Sequence, residues 1–179
     1  PYMGSKNMGA NTKSYVEGNL TSGKADVYAA FILRNSQLVR PSGRVAMVTQ
    51  QSWMFLKSFV SLRAIRNGDR VTGLLATATF ETIAQLGRYA FAEIGNAAVS
   101  PVLFVMRADR PNDAHRIWAC RLTAPRPAEE QDDLLTFACR GMDSSPGSRE
   151  NTFLSLQSAL RDLPDAQLLY WLSVTCLRL

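Results

Sequence analysis

Two glycines near the start of the chain have the spacing of a phosphate-binding loop. Gly4 and Gly9 in PYMGSKNMGANTK are separated by four residues, as in the motif G-x-x-x-x-G-K-[ST]. That motif needs Lys and then Ser or Thr after the second glycine, because these side chains contact the terminal phosphates and Mg²⁺. Ala10 and Asn11 stand there instead. The spacing therefore does not predict a nucleotide-phosphate site.

Histidine and cysteine, the residues of most zinc sites and covalent catalysts, are few and scattered. The chain has one histidine, His115, in the polar stretch RPNDAHR, and three cysteines, Cys120, Cys139 and Cys176, in apolar surroundings. They form no CxxC pair and no even-numbered framework. We expect a solvated loop histidine and reduced core cysteines, without a metal site or a Ser–His or Cys–His catalytic pair.

The residues that follow alternate between helical and extended patterns. After a loop over residues 4–23, TSGKADVYAAFILRNSQLVRPSG predicts a helix capped at Thr21 or Ser22. RVAMVT predicts a strand buried on both faces of a parallel sheet, and SWMFLKSFVSLRAIRNG predicts a second helix. Further strands are predicted in VTGLLATAT, in VSPVLFVMR with Pro101 at its start, and in RIWACRL. Such alternation is typical of an α/β sheet.

The character of the chain changes near Pro127. Residues 1–126 carry 16 Lys and Arg against 7 Asp and Glu, whereas residues 127–179 carry 4 against 8. The second part predicts helices in AEEQDDLLTFACRG and over residues 153–161 and 167–177. We therefore expect a basic α/β domain over residues 1–126 and a helical extension over residues 127–179. With no long apolar run and no signal-peptide pattern, we expect a cytoplasmic protein without a membrane partner.

Several blocks of sequence together resemble a known family. They are PYMGSKNMG, KADVYAAFILRNSQLVRPSGRVAMVTQQSWMFLKSFVSLR, LGRYAFAEIGNAAVSPVLFVMR and the later LPDAQLLYWLS. In this order they resemble the downstream half of the catalytic domain of amino-group DNA methyltransferases that act on adenine. The likeness is greatest to the PglX-like enzymes of BREX phage-defence systems. It implies the downstream half of a Rossmann-like, S-adenosylmethionine-dependent methyltransferase sheet.

The resemblance gives the first two residues a catalytic meaning. Pro1 and Tyr2 match the end of an Asn/Asp-Pro-Pro-Tyr motif, in which an Asn/Asp side chain and a proline carbonyl accept hydrogen bonds from the adenine amino group. The target base leaves the duplex, and an aromatic ring holds it. Tyr2 matches that ring, and Phe91 in GRYAFAEIG matches a second aromatic near the extruded base. By the residues alone, the first segment could be a flexible tail and Phe91 a packed loop residue.

The resemblance also implies which residues bind the cofactor and DNA. Phe31 in VYAAFI matches an aromatic beside the adenine of S-adenosyl-L-methionine, although its pattern also suits the core of an apolar helix. Lys6 and Lys13 are candidates for DNA phosphate contacts, or are simply solvated. Gln50 and Gln51 follow a predicted strand, where open α/β sheets place ligands, but they also suit polar caps.

The resemblance also implies that the chain is a fragment. The Asn/Asp, the first proline and the glycine-rich cofactor loop of the family have no match in it. We expect the parent to methylate the N6 amine of adenine in specific double-stranded DNA, and this fragment alone to be inactive. Its partners would be the upstream half of the same protein, a flipped adenine in DNA and other defence-system subunits. The alternative is a non-catalytic module, in which the basic part binds nucleic acid and the acidic part binds a protein.

Overall fold

The computed structural model describes residues 2–88, 90, 99–124, 128–140 and 151–172. Its helices are α1 (Ala10–Asn19), α2 (Val27–Leu38), α3 (Val60–Arg63), α4 (Leu74–Thr77), α5 (Ala128–Arg140) and α6 (Gln157–Arg161). Its strands are β1 (Arg44–Gln50), β2 (Ile65–Asn67), β3 (Arg70–Thr72), β4 (Thr79–Leu86), β5 (Pro101–Arg107), β6 (Arg116–Leu122) and β7 (Thr152–Leu156). Within these residues, no helix has the length and apolar character needed to cross a membrane.

Five strands form one mixed sheet in the order β1-β5-β4-β6-β7. Strand β5 runs antiparallel to both β1 and β4, β6 runs parallel to β4, and β7 runs antiparallel to β6. Strands β1, β4 and β6 therefore point the same way, and their carboxyl ends share one edge of the sheet. That edge is where open α/β sheets bind ligands.

Strand β1 confirms the strand predicted in RVAMVT, but its predicted environment is wrong. It lies at the end of the sheet and pairs antiparallel with β5, and Val48 is 45% exposed. Alternate residues are buried along it, as expected of a strand with one covered face. No described strand pairs with its other edge.

The segment predicted as a long loop contains helix α1. Its sequence shows little helical periodicity because only Val16 of its ten residues is buried, where it packs with Leu20 against Ala30 of α2. The next helix begins later than predicted. Its cap is Asp26, whose carboxylate accepts a hydrogen bond from the Tyr28 amide, and not Thr21 or Ser22.

The helix predicted in SWMFLKSFVSLRAIRNG is broken into two 3-10 turns and the single turn α3, and its later residues Ile65–Asn67 form strand β2. Arg63, the last residue of α3, is fully buried. Its guanidinium donates to the carbonyls of Trp53 and Leu56 and, across the core, to those of Asp165 and Ala166. Burial lowers the pKa of Arg63 to about 10, so it stays charged at neutral pH.

The strand predicted in VTGLLATAT is misplaced. Strand β3 ends at Thr72, Gly73 turns the chain with a φ of +97°, and the single turn α4 follows. A Cβ at Gly73 would lie 2.7 Å from the Arg63 carbonyl, so both the space and the backbone angle require glycine. The actual strand, β4, begins after this turn. Strands β5, with Pro101 at its start, and β6 are as predicted.

The last part of the chain is less helical than predicted. Helix α5 is confirmed, but residues 152–156 form β7 at the end of the sheet, so only residues 157–161 of the predicted 153–161 helix are helical. Residues 167–172 are not helical, and residues 173–177 lie outside the described part of the chain. The boundary predicted at residues 126 and 127 also lies outside it, and the two-domain division stays a prediction.

Candidate functional site

Three neighbouring cavities lie along the carboxyl ends of β1 and β4. The aromatic cleft, of about 520 Å³, is lined by Tyr2, Met3, Thr12, Val27, Tyr28, Phe31, Met47, Val48 and Thr49. The strand-end cleft, of about 350 Å³, is lined by Gln50, Gln51, Ser52, Phe55, Leu56, Arg88, Val99 and Ser100. A connecting cavity of about 250 Å³ shares Tyr2 with the first and Gln50, Arg88 and Val99 with the second. The connecting cavity thus joins the other two, with Tyr2 on the border of the aromatic cleft and Gln50 on the border of the strand-end cleft.

The ring of Tyr2 is held in place yet exposed. The Met3 amide donates to the Asp26 carboxylate at 3.0 Å, and the Val27 amide donates to the Met3 carbonyl at 3.0 Å. The Tyr2 hydroxyl donates to the Val48 carbonyl on β1 at 3.1 Å. Even so, 53% of Tyr2 is exposed, and it lines both the aromatic cleft and the connecting cavity. The segment is therefore not a flexible tail.

Tyr28 was not singled out by sequence reasoning, although it lies three residues before Phe31 on α2. Its ring centroid is 5.9 Å from that of Tyr2, and its hydroxyl is 2.7 Å from Ser52 Oγ. Burial raises the pKa of Tyr28 to about 12, so the phenol is neutral at physiological pH and does not act there as a phenolate base. Through Ser52, it links the aromatic cleft to the strand-end cleft.

Phe31 lies on the same cleft as Tyr2. It is 48% exposed, which contradicts the alternative that it is a core residue. Lys6, in the turn before α1, and Lys13, on α1, are both exposed. Lys13 follows Thr12, which lines the aromatic cleft. The structure thus brings Tyr2 and Phe31 together, while Pro1 and Phe91 lie outside the described residues.

A buried polar chain backs the strand-end cleft. The amide nitrogen of Gln85, on β4, donates to Gln51 Oε1. The Tyr170 hydroxyl lies 2.9 Å from Gln85 Oε1 and 3.2 Å from the Cys120 carbonyl. Gln85 and Tyr170 were missed by sequence reasoning, and no local spacing could have revealed them because the contacts span tens of residues. The Gln51 side chain is therefore fixed by the core rather than free in solvent.

The described lining of these cavities is rich in groups that can stack on or hydrogen-bond to a ligand. Their described lining includes aromatic rings, amides, hydroxyls and one arginine, but no carboxylate or histidine. No group of His, Cys, Asp and Glu in the described residues is arranged to hold a metal ion. Such a surface can stack a planar ring and donate hydrogen bonds to it.

The histidine and cysteines play no part in these cavities. His115 is half-buried and its Nε2 lies 2.7 Å from the Phe80 carbonyl, so it is not the purely solvated residue we expected. Cys120 is a free, buried thiol as expected, whereas Cys139 is exposed, which contradicts a core position. Cys176 lies outside the described residues.

Comparisons with known proteins find similar methyltransferases. The Eco57I restriction-modification methylase family matches residues 1–89, which include Tyr2, Tyr28, Phe31 and Gln51. The adenine-specific methyltransferase BrxX of Escherichia coli O9:H4 (strain HS) is 28% identical over 172 residues, which is 96% of this chain and 12% of BrxX. The adenine-specific methyltransferase PglX of Lacticaseibacillus casei (strain Zhang) is 34% identical over 110 residues, 62% of this chain and 8% of PglX.

The chain is related to the PglX-like adenine-specific methyltransferases. It spans about an eighth or less of the two curated relatives. Among solved structures, a modification subunit of a putative type I restriction enzyme from Vibrio vulnificus YJ016 superposes on this chain with a TM-score of 0.55 and 19% identity. The superposition covers 82% of this chain and 31% of the subunit. The predicted partial methyltransferase sheet is thereby confirmed.

Proposed function

We propose that this PglX-like chain is part of the catalytic domain of a site-specific DNA methyltransferase. The parent enzyme transfers the methyl group of S-adenosylmethionine to the N6 amine of an adenine in double-stranded DNA, as part of BREX phage defence. Support comes from the two adenine-specific relatives and from the cavities at the carboxyl ends of β1 and β4. The proposal places the protein in the cytoplasm with its DNA substrate.

The exposed and anchored ring of Tyr2 is the observation that carries this proposal. A base rotated out of the duplex loses its stacking neighbours and needs a flat apolar surface in their place. Tyr2 offers such a surface, because its hydroxyl is tied to Val48 and its backbone is tied to Asp26, while half of the residue stays open. Stacking on an aromatic side chain contributes about 1 to 3 kcal/mol per base. Tyr2 thus holds the base, while hydrogen-bond acceptors activate the amine.

The aromatic cleft fits one end of the cofactor. S-Adenosylmethionine supplies an electrophilic methyl group when it is bound. Phe31 would hold its adenine ring, since the exposed face of Phe31 and the neighbouring Val27 and Met47 give the cleft an apolar wall. Tyr28, kept neutral by burial, packs behind the cleft without adding a charge.

The remaining predicted site residues belong to the same proposal. Pro1 and Phe91 would flank the target adenine, and Lys6 and Lys13 would meet DNA phosphates. Support for the lysines is that both are exposed and that Lys13 follows a residue of the aromatic cleft. A lysine–phosphate contact attracts DNA without reading its sequence.

We also propose that residues 1–179 act only with the rest of the parent protein. The chain spans 12% and 8% of its curated relatives, and among the described strands β1 has one unpaired edge. The upstream half of the same catalytic domain, and further subunits of the defence system, are the partners we propose. By this proposal, the isolated segment has no methyltransferase activity.

Methyl transfer by the full-length protein tests the proposal. Purified enzyme is incubated with labelled S-adenosylmethionine and unmethylated DNA, and N6-methyladenine is measured by mass spectrometry. We expect Tyr2→Ala to lower kcat/KM by about 5- to 150-fold, which is the stacking energy expressed as a rate. Tyr2→Phe keeps the ring and should retain most activity, and Tyr15→Ala, an exposed tyrosine on α1, is the matched control. DNA binding by the wild type without any N6-methyladenine would refute the proposal.

A further inference from the structure

The polar chain from Tyr170 to Gln51 sets the direction of an amide at the strand-end cleft. Tyr170 and Gln85 are almost fully buried, with 1% and 3% exposed. The Tyr170 hydroxyl donates to Gln85 Oε1 at 2.9 Å, which leaves the Gln85 amide nitrogen to donate to Gln51 Oε1. Gln51 Oε1 accepts this hydrogen bond, and the two N–H groups of Gln51 Nε2 are left to donate to a ligand.

The strand-end cleft presents hydrogen-bond donors. Gln51 lines it, and Gln51 Nε2 has no hydrogen-bond partner among the described residues. Arg88, which is exposed, adds a guanidinium at the point where this cleft meets the connecting cavity. None of the described lining residues is acidic. An amide donor beside a guanidinium suits an anionic oxygen ligand.

We propose that the strand-end cleft binds a DNA phosphate beside the extruded base, with Gln51 and Arg88 as the contacts and Tyr170 as a positioning residue that acts through Gln85. The connecting cavity joins this cleft to Tyr2, so a strand whose base lies on Tyr2 has its backbone within reach. This inference rests on the proposed function. It gives the C-terminal segment, which is remote in sequence, a role in DNA binding.

Steady-state kinetics of the full-length enzyme on unmethylated plasmid DNA test the Gln51 contact. Gln51→Glu keeps the size of the side chain and replaces the donor with an acceptor and a negative charge. We expect KM for DNA to rise about tenfold, with kcat changed less than twofold, because a charge-assisted hydrogen bond is lost from binding. Gln37→Glu on α2, an exposed glutamine away from the cavities, should leave both parameters unchanged. A Gln51→Glu enzyme with wild-type KM would overturn the proposal.

The salt dependence of DNA binding distinguishes a phosphate from another acceptor. Loss of one phosphate contact lowers the slope of log K against log salt by about one. We expect Arg88→Gln to do so, and Gln51→Leu, which removes an uncharged donor, to weaken binding without changing the slope. An unchanged slope in Arg88→Gln would overturn the phosphate assignment.

Tyr170→Phe tests the positioning role separately from stability. It removes the hydroxyl but keeps the ring that packs against Phe153 and Trp171. We expect KM for DNA to rise about threefold, whereas Tyr15→Phe, on exposed α1, should have no effect. A lower melting temperature with unchanged KM would make Tyr170 merely structural and overturn the role. If the wild type methylates DNA while these variants behave normally, only this inference fails, because the proposed function requires methylation alone.

Discussion

Replacing Arg63 with methionine should open the contact between the wall of the strand-end cleft and the C-terminal segment. The guanidinium donates to the carbonyls of Trp53 and Leu56 on one side and to those of Asp165 and Ala166 on the other, at 2.6 to 3.1 Å. Methionine fills much of the same volume but donates no hydrogen bond. The variant therefore leaves the carbonyls of Trp53, Asp165 and Ala166 without this donor, whereas the Leu56 carbonyl keeps the Phe59 amide at 3.1 Å, and it leaves no large cavity.

The magnitude follows from two opposing contributions. A buried carbonyl that loses its partner costs about 1 to 3 kcal/mol, and three carbonyls lose theirs in Arg63→Met. Removing the buried charge offsets part of this loss. Burial lowers the pKa of Arg63 from 12.5 to about 10, and each unit corresponds to about 1.4 kcal/mol. We expect a net loss of about 3 kcal/mol in the free energy of opening this contact.

Hydrogen exchange in the full-length protein measures that free energy locally. The amide of Leu168 donates to the carbonyl of Met54 at 3.1 Å and reports directly on the contact. A loss of about 3 kcal/mol should speed its exchange by more than about a hundredfold. Arg66→Met is the control, since the 2.7 Å Arg66–Asp162 ion pair is largely exposed and should contribute less than about 1 kcal/mol. Leu168 exchange within tenfold of wild type in Arg63→Met would refute the reasoning.

Three further predictions concern other parts of the structure. Asp26→Ala removes the cap of α2 and the acceptor of the Met3 amide, and should cost about 1 to 2 kcal/mol, measured as faster exchange in the first turn of α2. Gln157→Leu leaves two buried carbonyls and the Phe80 amide without partners, and should lower the melting temperature by several degrees more than a surface Gln→Leu variant. Burial raises the pKa of the Cys120 thiol to about 12. Iodoacetamide at pH 8 should therefore label exposed Cys139 but not Cys120, which peptide mass spectrometry would show. Equal labelling of the two cysteines would contradict this.

Local patterns predicted two strands and one helix whose own residues carry the signal. PVLFVMR and RIWACRL have the short apolar character of strands, and both are strands at the predicted positions. The helix in AEEQDDLLTFACRG was likewise found, because it carries acidic residues first and Arg140 last. In these segments, the signal for the element lies within the element itself.

The mistaken elements depend on distant residues. Arg63 looks like the polar face of a surface helix, but its donors are satisfied by carbonyls about 100 residues away. Strand β4 was missed because Glu81 and Gln85 interrupt its apolar pattern. Glu81 accepts a hydrogen bond from Arg44 on β1, and Gln85 donates one to Gln51, which follows β1. Residues 152–156 form a strand because β6 offers an edge, and their own pattern does not record that edge.

The candidate site was predicted in part, and by resemblance rather than by periodicity. Tyr2 and Phe31 were selected from motif positions, and the structure places both on the aromatic cleft. Gln51 was noted only for its place after a strand. Its partners Gln85 and Tyr170 could not be predicted, because the hydrogen bonds that join them form only when β1, β4 and the C-terminal segment meet.

Fluorescence of a base analogue would test most directly the claim that Tyr2 stacks on an extruded adenine. The full-length enzyme is bound to a duplex with 2-aminopurine at the target position, whose emission rises when the base is unstacked and falls when a ring stacks on it. We predict that the Tyr2→Ala complex is several-fold brighter than the wild-type complex, and that Tyr2→Phe matches the wild type. Equal brightness of the wild-type and Tyr2→Ala complexes, at saturating enzyme, would contradict the claim.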